Sequence, residues 1–181
     1  MAMTNVYTGA NGTLTLAHDK SPEGAEAAAV MDAYQLTTVG RVTGVQISVN
    51  TDLHVYHEIG ARQTVSLHPE NIYIDGSVDR AYINGALLFL LLGKGALPTA
   101  AKEPYPQPSF NMTVTLNDPA VPGNKAALEL DGVKFLSWSY TLPEDDFVME
   151  NVKFKALAIR VLDTEAPASG QGKPKSPAFA K

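Results

Sequence analysis

The chain has 181 residues, 45% of them hydrophobic and 18% charged, with a net charge of −5 and no cysteine. Such a length supports one domain whose core needs no staple, and the lack of cysteine excludes disulfides, thiolate metal sites and a thiol nucleophile. The acidic balance argues against sequence-independent nucleic-acid binding by a basic face.

The opening Met1-Ala2-Met3-Thr4 lacks the basic region and apolar stretch of a signal peptide. Thr13-Leu14-Thr15-Leu16 alternates as a short strand. Ser21-Pro22-Glu23 combines an N-cap, proline at the first helical position and an acid in the first turn. It predicts a short helix over about 22–34, weakened in its first turn by Gly24.

From Val45 to Ile59 the odd positions are mostly aliphatic and the even ones polar. Period two means strand with one wet face, either continuous or turning near Asn50-Thr51-Asp52. Ile72 to Tyr82 predicts another strand, with Ile72, Ile74 and Val78 on one face and Tyr73, Asp75, Ser77 and Asp79 on the other. Gly76 marks a bulge or close packing. Asn84 to Gly93 then predicts a short helix, apolar all round, which must be covered by its own core or by another subunit. Leu88 and Leu91 are its candidates for a subunit contact. The run from Ala86 to Leu92 is far short of the ~20 residues that span a bilayer, so no membrane insertion is expected.

Residues 94–108 are proline-rich and predict a loop or crossover. Phe110 to Leu116 alternates as a strand. Leu128 and Leu130, Asp131-Gly132, then Val133 and Phe135 suggest a hairpin with a tight turn. A shift of apolar parity after Phe135 predicts a bulge. Val152 to Leu162 predicts the last strand. Residues 166–181 carry three prolines, two glycines, three lysines and no acid, which predicts a disordered basic tail after a domain of 1–165.

No set of residues assembles a catalytic, cofactor or metal site. His54 and His57, three apart in a strand, lie on opposite faces. Asp75 and Asp79 stand roughly 13 Å apart along a strand, too far for a carboxylate pair. Gly93-Lys94-Gly95 lacks phosphate-loop spacing, Ser137 and Ser139 lack a nucleophile-elbow context, and Trp138 has no basic groove beside it.

The stretch Tyr56-His57-Glu58-Ile59-Gly60-Ala61-Arg62-Gln63, followed by Asn71 to Leu88 with Gly76-Ser77-Val78-Asp79-Arg80-Ala81-Tyr82-Ile83-Asn84-Gly85, resembles bacteriophage tail tube proteins. It is most similar to the inner tube of contractile tails, an architecture shared by the type VI secretion tube protein. The resemblance covers roughly residues 40–93. It implies a mainly β, sandwich or barrel-like fold flanked by a helix, and stacked hexameric rings forming a hollow tube that conducts DNA. The implied partners are the protein itself, the tail sheath, the baseplate and the terminator. The implied location is the virion tail, reached from the host cytoplasm.

Charge distribution agrees with that expectation. Residues 21–93 hold eight acids and three arginines, and no lysine occurs between Lys20 and Lys94. A wet strand face without lysine suits a channel wall that must not hold phosphates. Lumen candidates are Gln46, Ser48, Asn50 and Asp52 on one stretch and Asp75, Ser77 and Asp79 on the other. Arg62 and Arg80 are candidates for ion pairs between subunits or rings, or for ordinary surface pairing. The competing readings are a non-tube β-sandwich binding module or minor virion protein, and a hydrolase on a jelly-roll scaffold.

Overall fold

The computed structural model describes residues 7–97, 105–121, 123–165 and 173–175. The first strand among the described residues is β1 (Gly12–His18), and helix α1 (Pro22–Tyr34) follows. A long hairpin comes next, β2 (Val42–Tyr56) and β3 (Ser66–Ala81), and leads into helix α2 (Ala86–Leu92). The rest is strand: β4 (Phe110–Asn117), β5 (Lys125–Thr141), β6 (Met149–Ala156), β7 (Ala158–Val161), β8 (Asp163–Glu165) and β9 (Lys173–Lys175). All pairings are antiparallel, in the order β1-β4-β5-β6-β3-β2, with β7 and β8 also on β5.

The expected hairpin at Asp131-Gly132 does not form. β5 continues through this point as one 17-residue strand without reversing. Gly132 instead takes a left-handed φ of +59° in a bulge, where β5 advances three residues from Leu130 to Val133 while β4 advances two from Met112 to Phe110. The Asn111 side-chain oxygen accepts a hydrogen bond from the Gly132 N–H at 3.1 Å. That bend lets β5 serve two sheets. Its first half pairs with β4 and β7, its second half with β6. The expected last strand breaks at the matching place: β6 and β7 are separated by Leu157, whose N–H donates to the Asp131 carbonyl. A Cβ on Gly132 would lie 2.5 Å from Leu157 Cδ1, so the corner closes because position 132 has no side chain. The bulge predicted after Phe135 is present, between Phe135 and Ser137.

β2 is continuous, with a register shift between Thr51 and Leu53 and no turn at Asn50-Thr51-Asp52. Gly76 marks close packing. A Cβ there would meet the Gln46 carbonyl oxygen at 2.1 Å and Phe154 Cζ at 2.6 Å.

The curled sheet encloses Leu14, Leu16, Val78, Phe110, Met112, Leu130, Val133, Phe135, Val152 and Phe154. Both helices close this core. In α1 the Ser21 hydroxyl accepts from the Gly24 N–H at 3.2 Å, and Ala27 and Met31 are buried. Gly24 is required because a Cβ would sit 2.0 Å from the Asp19 carbonyl oxygen. α2 buries Ala86, Leu87 and Leu90, each leucine contributing roughly 1.5–3 kcal/mol. The proline-rich segment is not wholly peripheral, since Pro108 is fully buried and Ser109 nearly so. Of the tail expected to be disordered, only Lys173–Lys175 is described, as a strand beside Asp163–Glu165. The rest lies outside the described residues. No helix among the described residues is long and apolar enough to cross a membrane.

Candidate assembly surfaces

The two groups of polar candidates lie on one face. Register places Gln46 opposite Ser77 and Ser48 opposite Asp75, and paired residues in adjacent strands point to the same side. Asn50 sits opposite Tyr73, and its amide donates to Asp75 Oδ2 at 3.3 Å. Asp52 lies farther out, at the register shift.

The neighbouring strand overturns the expectation of a face without lysine. β6 places Lys155 opposite Asp75, Lys153 opposite Ser77 and Asn151 opposite Asp79. Both lysines are exposed, and the Asn151 amide donates to Asp79 Oδ1 at 2.6 Å. β5 adds Ser137 and Ser139 to the same rows. This face is thus mixed in sign. The lysine-free run of sequence ends before β6, and period two in Lys153 and Lys155 was the signal that a third strand completes the face.

The opposite face is apolar and longer than the core that covers it. Toward the hairpin tip, Val49, Leu53, Val55, Leu67 and Ile72 are exposed. At the far end of the sheet, beyond Arg80, Tyr82, Tyr140, Leu142 and Phe147 are exposed, with the Tyr82 and Tyr140 rings stacked at 6.0 Å. The four strands β5, β6, β3 and β2 also have two bare margins. β2 has β3 on one side only, and Leu136 to Thr141 of β5 has β6 on one side only, among the described residues. The third margin, β1, is shielded where Val39 N–H donates to the Leu14 carbonyl and Leu16 N–H to the Thr37 carbonyl.

Arg80 is a core residue. Only 1% exposed, it pairs within its own chain with buried Glu150, whose other oxygen accepts from the Trp138 indole at 2.7 Å. The ring of Trp138 packs against the core. Arg62 is exposed in the turn at the hairpin tip and makes no ion pair among the described residues. Leu88 and Leu91 are half-buried on α2. His54 approaches Glu70 at 3.6 Å, and His57 lies beyond the end of β2. Among the described residues no three His, Asp or Glu side chains gather as metal ligands.

No protein-family model matches the chain, and no curated protein matches it in sequence. Solved structures do. The sheath/tube terminator of an extracellular contractile injection system, PVC, in its extended state aligns with a TM-score of 0.59 at 9% identity, covering 88% of this chain and 99% of the other. The tube-terminating cap of the anti-feeding prophage gives 0.59 at 10% identity, covering 90% and 95%. The tail tube of SPP1 gives 0.53 at 7% identity, covering 86% and 78%. With its curled antiparallel sheet, shared corner strands and two short helices, the chain has the tail-tube fold.

Proposed function

We propose that the protein is a structural subunit of a tail or injection tube, built of rings of this chain and conducting DNA, with no catalytic role. The observation that carries this reading is the pair of bare margins on one four-stranded sheet. Four alternating strands leave β2 and the second half of β5 running in opposite directions. Joining the β2 margin of one copy to the β5 margin of the next therefore makes another antiparallel pair, and repetition by rotation closes a ring without an edge. A ring of six, the number that the resemblance implies, would hold about 24 strands. At ~4.8 Å each, the wall would be about 115 Å around and the bore about 37 Å between backbones, wide enough for a duplex.

The two uncovered apolar patches support stacking. They lie at opposite ends of the strands, so the tip of one ring faces the Tyr82–Tyr140 platform of the next. Contiguous exposed apolar residues on a free chain favour contact surfaces. The polar face then lines the channel, with Gln46, Ser48, Asn50, Asp52, Asp75, Ser77 and Asp79 accompanied by Lys153 and Lys155. Acids beside the lysines keep the wall from collecting phosphates, since each free cation would add affinity through counterion release. Arg62, at the tip, is placed to meet the neighbouring ring. Leu88 and Leu91, half-buried on α2, are placed for a contact with a neighbouring subunit. Sheath, baseplate and terminator components are the partners of such a tube, in the virion tail.

The test is assembly. The double variant Leu53→Asp/Val55→Asp should remain a folded monomer by circular dichroism and size-exclusion chromatography, while the parent forms rings or rods in negative stain. A parent that stays monomeric at high concentration, or rods of normal length from the variant, would overturn the reading.

A further inference from the structure

Arg41 leads into β2 at the same end of the sheet as Tyr82 and Tyr140. It is exposed, its φ is +60°, and its carbonyl accepts from the Ala81 N–H at 3.0 Å. Glycine would hold such a turn without strain, whereas arginine in the left-handed region is uncommon. The guanidinium makes no hydrogen bond or ion pair among the described residues.

At this end β5 runs out into the turn Glu144-Asp145-Asp146. All three acids are exposed, and none is ion-paired among the described residues. Asp146 alone is engaged locally, accepting from the Phe147 N–H at 2.7 Å. No lysine, arginine or histidine occurs between Lys134 and Lys153, so the turn has no cation of its own.

Register fixes where these opposite charges stand. Arg41 lies beside Ala81, Ala81 opposite Met149, and Met149 opposite Thr141. The cation begins one row of the four-stranded sheet, and the acidic turn follows the other end of that row. Three strand intervals, roughly 14 Å, keep them apart within one chain. Stacking a hairpin tip on a tyrosine platform does not unite them, because both lie at the platform end. Joining sheets sidewise does. Gln46, Ser77, Lys153 and Ser137 also form one row, so a level joint sets Gln46 against Ser137 of the next copy and continues the polar face. The same joint brings Arg41 to the end of the neighbouring β5.

We infer that Arg41 of one copy pairs with the Glu144–Asp146 turn of the next, and that this pair sets the register of the joint. The inference rests on the sidewise joining proposed above and names the contact that aligns it. A second copy is the occupant because each chain carries one half of the charge pair at each of the two margins. An exposed pair adds modest affinity, and its weight lies in selecting among alignments. A slip of one residue would set polar positions against apolar ones, and a slip of two toward the tip would draw the charges apart.

The test is charge exchange in the full chain. Arg41→Glu and Glu144→Lys/Asp145→Lys should each stay folded by circular dichroism. Each alone should raise the concentration needed for rings, read by sedimentation and negative stain, by about tenfold or more. An equimolar mixture should restore rings of parent size, since alternating copies then meet as opposite charges at every joint. Raising salt should weaken the parent in the same assay. If Arg41→Glu misfolds, Arg41→Gln should still form rings less readily and with less dependence on salt. Rings from both charge variants at the parent's concentration would refute the contact and leave the tube reading intact. So would a mixture that fails to assemble, or one that stops at a two-fold dimer with platforms face to face. A parent that forms no rings would remove the tube reading and this contact together.

Discussion

The Arg80 guanidinium and the Glu150 carboxylate are ion-paired inside the fold, with side-chain exposures of 1% and 0%. The pair spans β3 and β6 as directly opposed residues. It also reaches beyond them: Trp138 donates to Glu150, and Arg80 Nη2 lies 3.5 Å from the Asn84 carbonyl at the entrance to α2. One buried charge pair thereby ties three strands to a helix start. Arg80→Met would leave the Glu150 carboxylate buried without its cation, costing about 3–5 kcal/mol. Arg80→Met/Glu150→Leu should recover much of that loss. Urea unfolding of both variants, with Trp138 fluorescence as probe, distinguishes the outcomes; equal losses would mean that the pair itself supplies the stability.

Gly76→Ala should be severely destabilising, because the new methyl group would overlap the Gln46 carbonyl and the Phe154 ring. Gly95→Ala has open space around it and serves as the control. Soluble yield and thermal midpoint should fall sharply for the first and little for the second.

Gly132→Ala combines a left-handed φ with a clash against Leu157. The expected cost is more than the ~1 kcal/mol of lost glycine freedom alone, since the corner shared by both sheets must open. Leu157→Ala in the same chain relieves the clash and leaves the φ strain. Partial rescue of the thermal midpoint by the double variant is the expected result.

Acid should loosen the junction between β1, α1 and β4. The Ser21 hydroxyl, with the Lys20 and Ser21 backbone N–H groups and the Ser109 hydroxyl, holds the Asp19 carboxyl below its ordinary value, against a smaller desolvation effect. A lowered value in the folded chain means that this contribution is present above the ordinary carboxylate range and is lost as pH falls through the folded value. Asp19→Asn should therefore weaken the parent at neutral pH and flatten the acid limb of its stability profile, as read by denaturant midpoints from pH 7 down to about pH 3.

The channel wall is tested by charge. Asp75→Lys/Asp79→Lys would place two more cations beside Lys153 and Lys155, at some cost in the amide contacts from Asn50 and Asn151. Assembled tubes of this variant should retain DNA at low salt and release it as salt rises. Rods that form normally and ignore DNA at every salt concentration would remove this face from the lumen.

Much of the fold was legible in local pattern. Period two located the strands, Ser21-Pro22 located α1, and the parity change at Phe135 located a bulge. Asp131-Gly132 misled because the same left-handed glycine suits a two-residue turn and a bulge, and nothing local says whether the chain reverses. Arg80 misled because arginine defaults to the surface, and its buried partner lies 70 residues away. The polar candidates were found as two stretches, but their union into one face is a matter of register. The lysines that complete it lie opposite Ser77 and Asp75 on β6, 76 and 80 residues later, paired through long-range contacts that periodicity does not encode.

Joined as proposed, β2 margin to β5 margin and hairpin tip to tyrosine platform, all copies in the tube would face the same way. A polymer of such units is polar. One end always presents hairpin tips and the other always presents the tyrosine platform, so the two ends differ chemically at every length. Growth then has no internal stopping point, and a cap shaped for one end cannot seat on the other. In such a tube, length control and the choice of end would come from components that recognise these two surfaces separately.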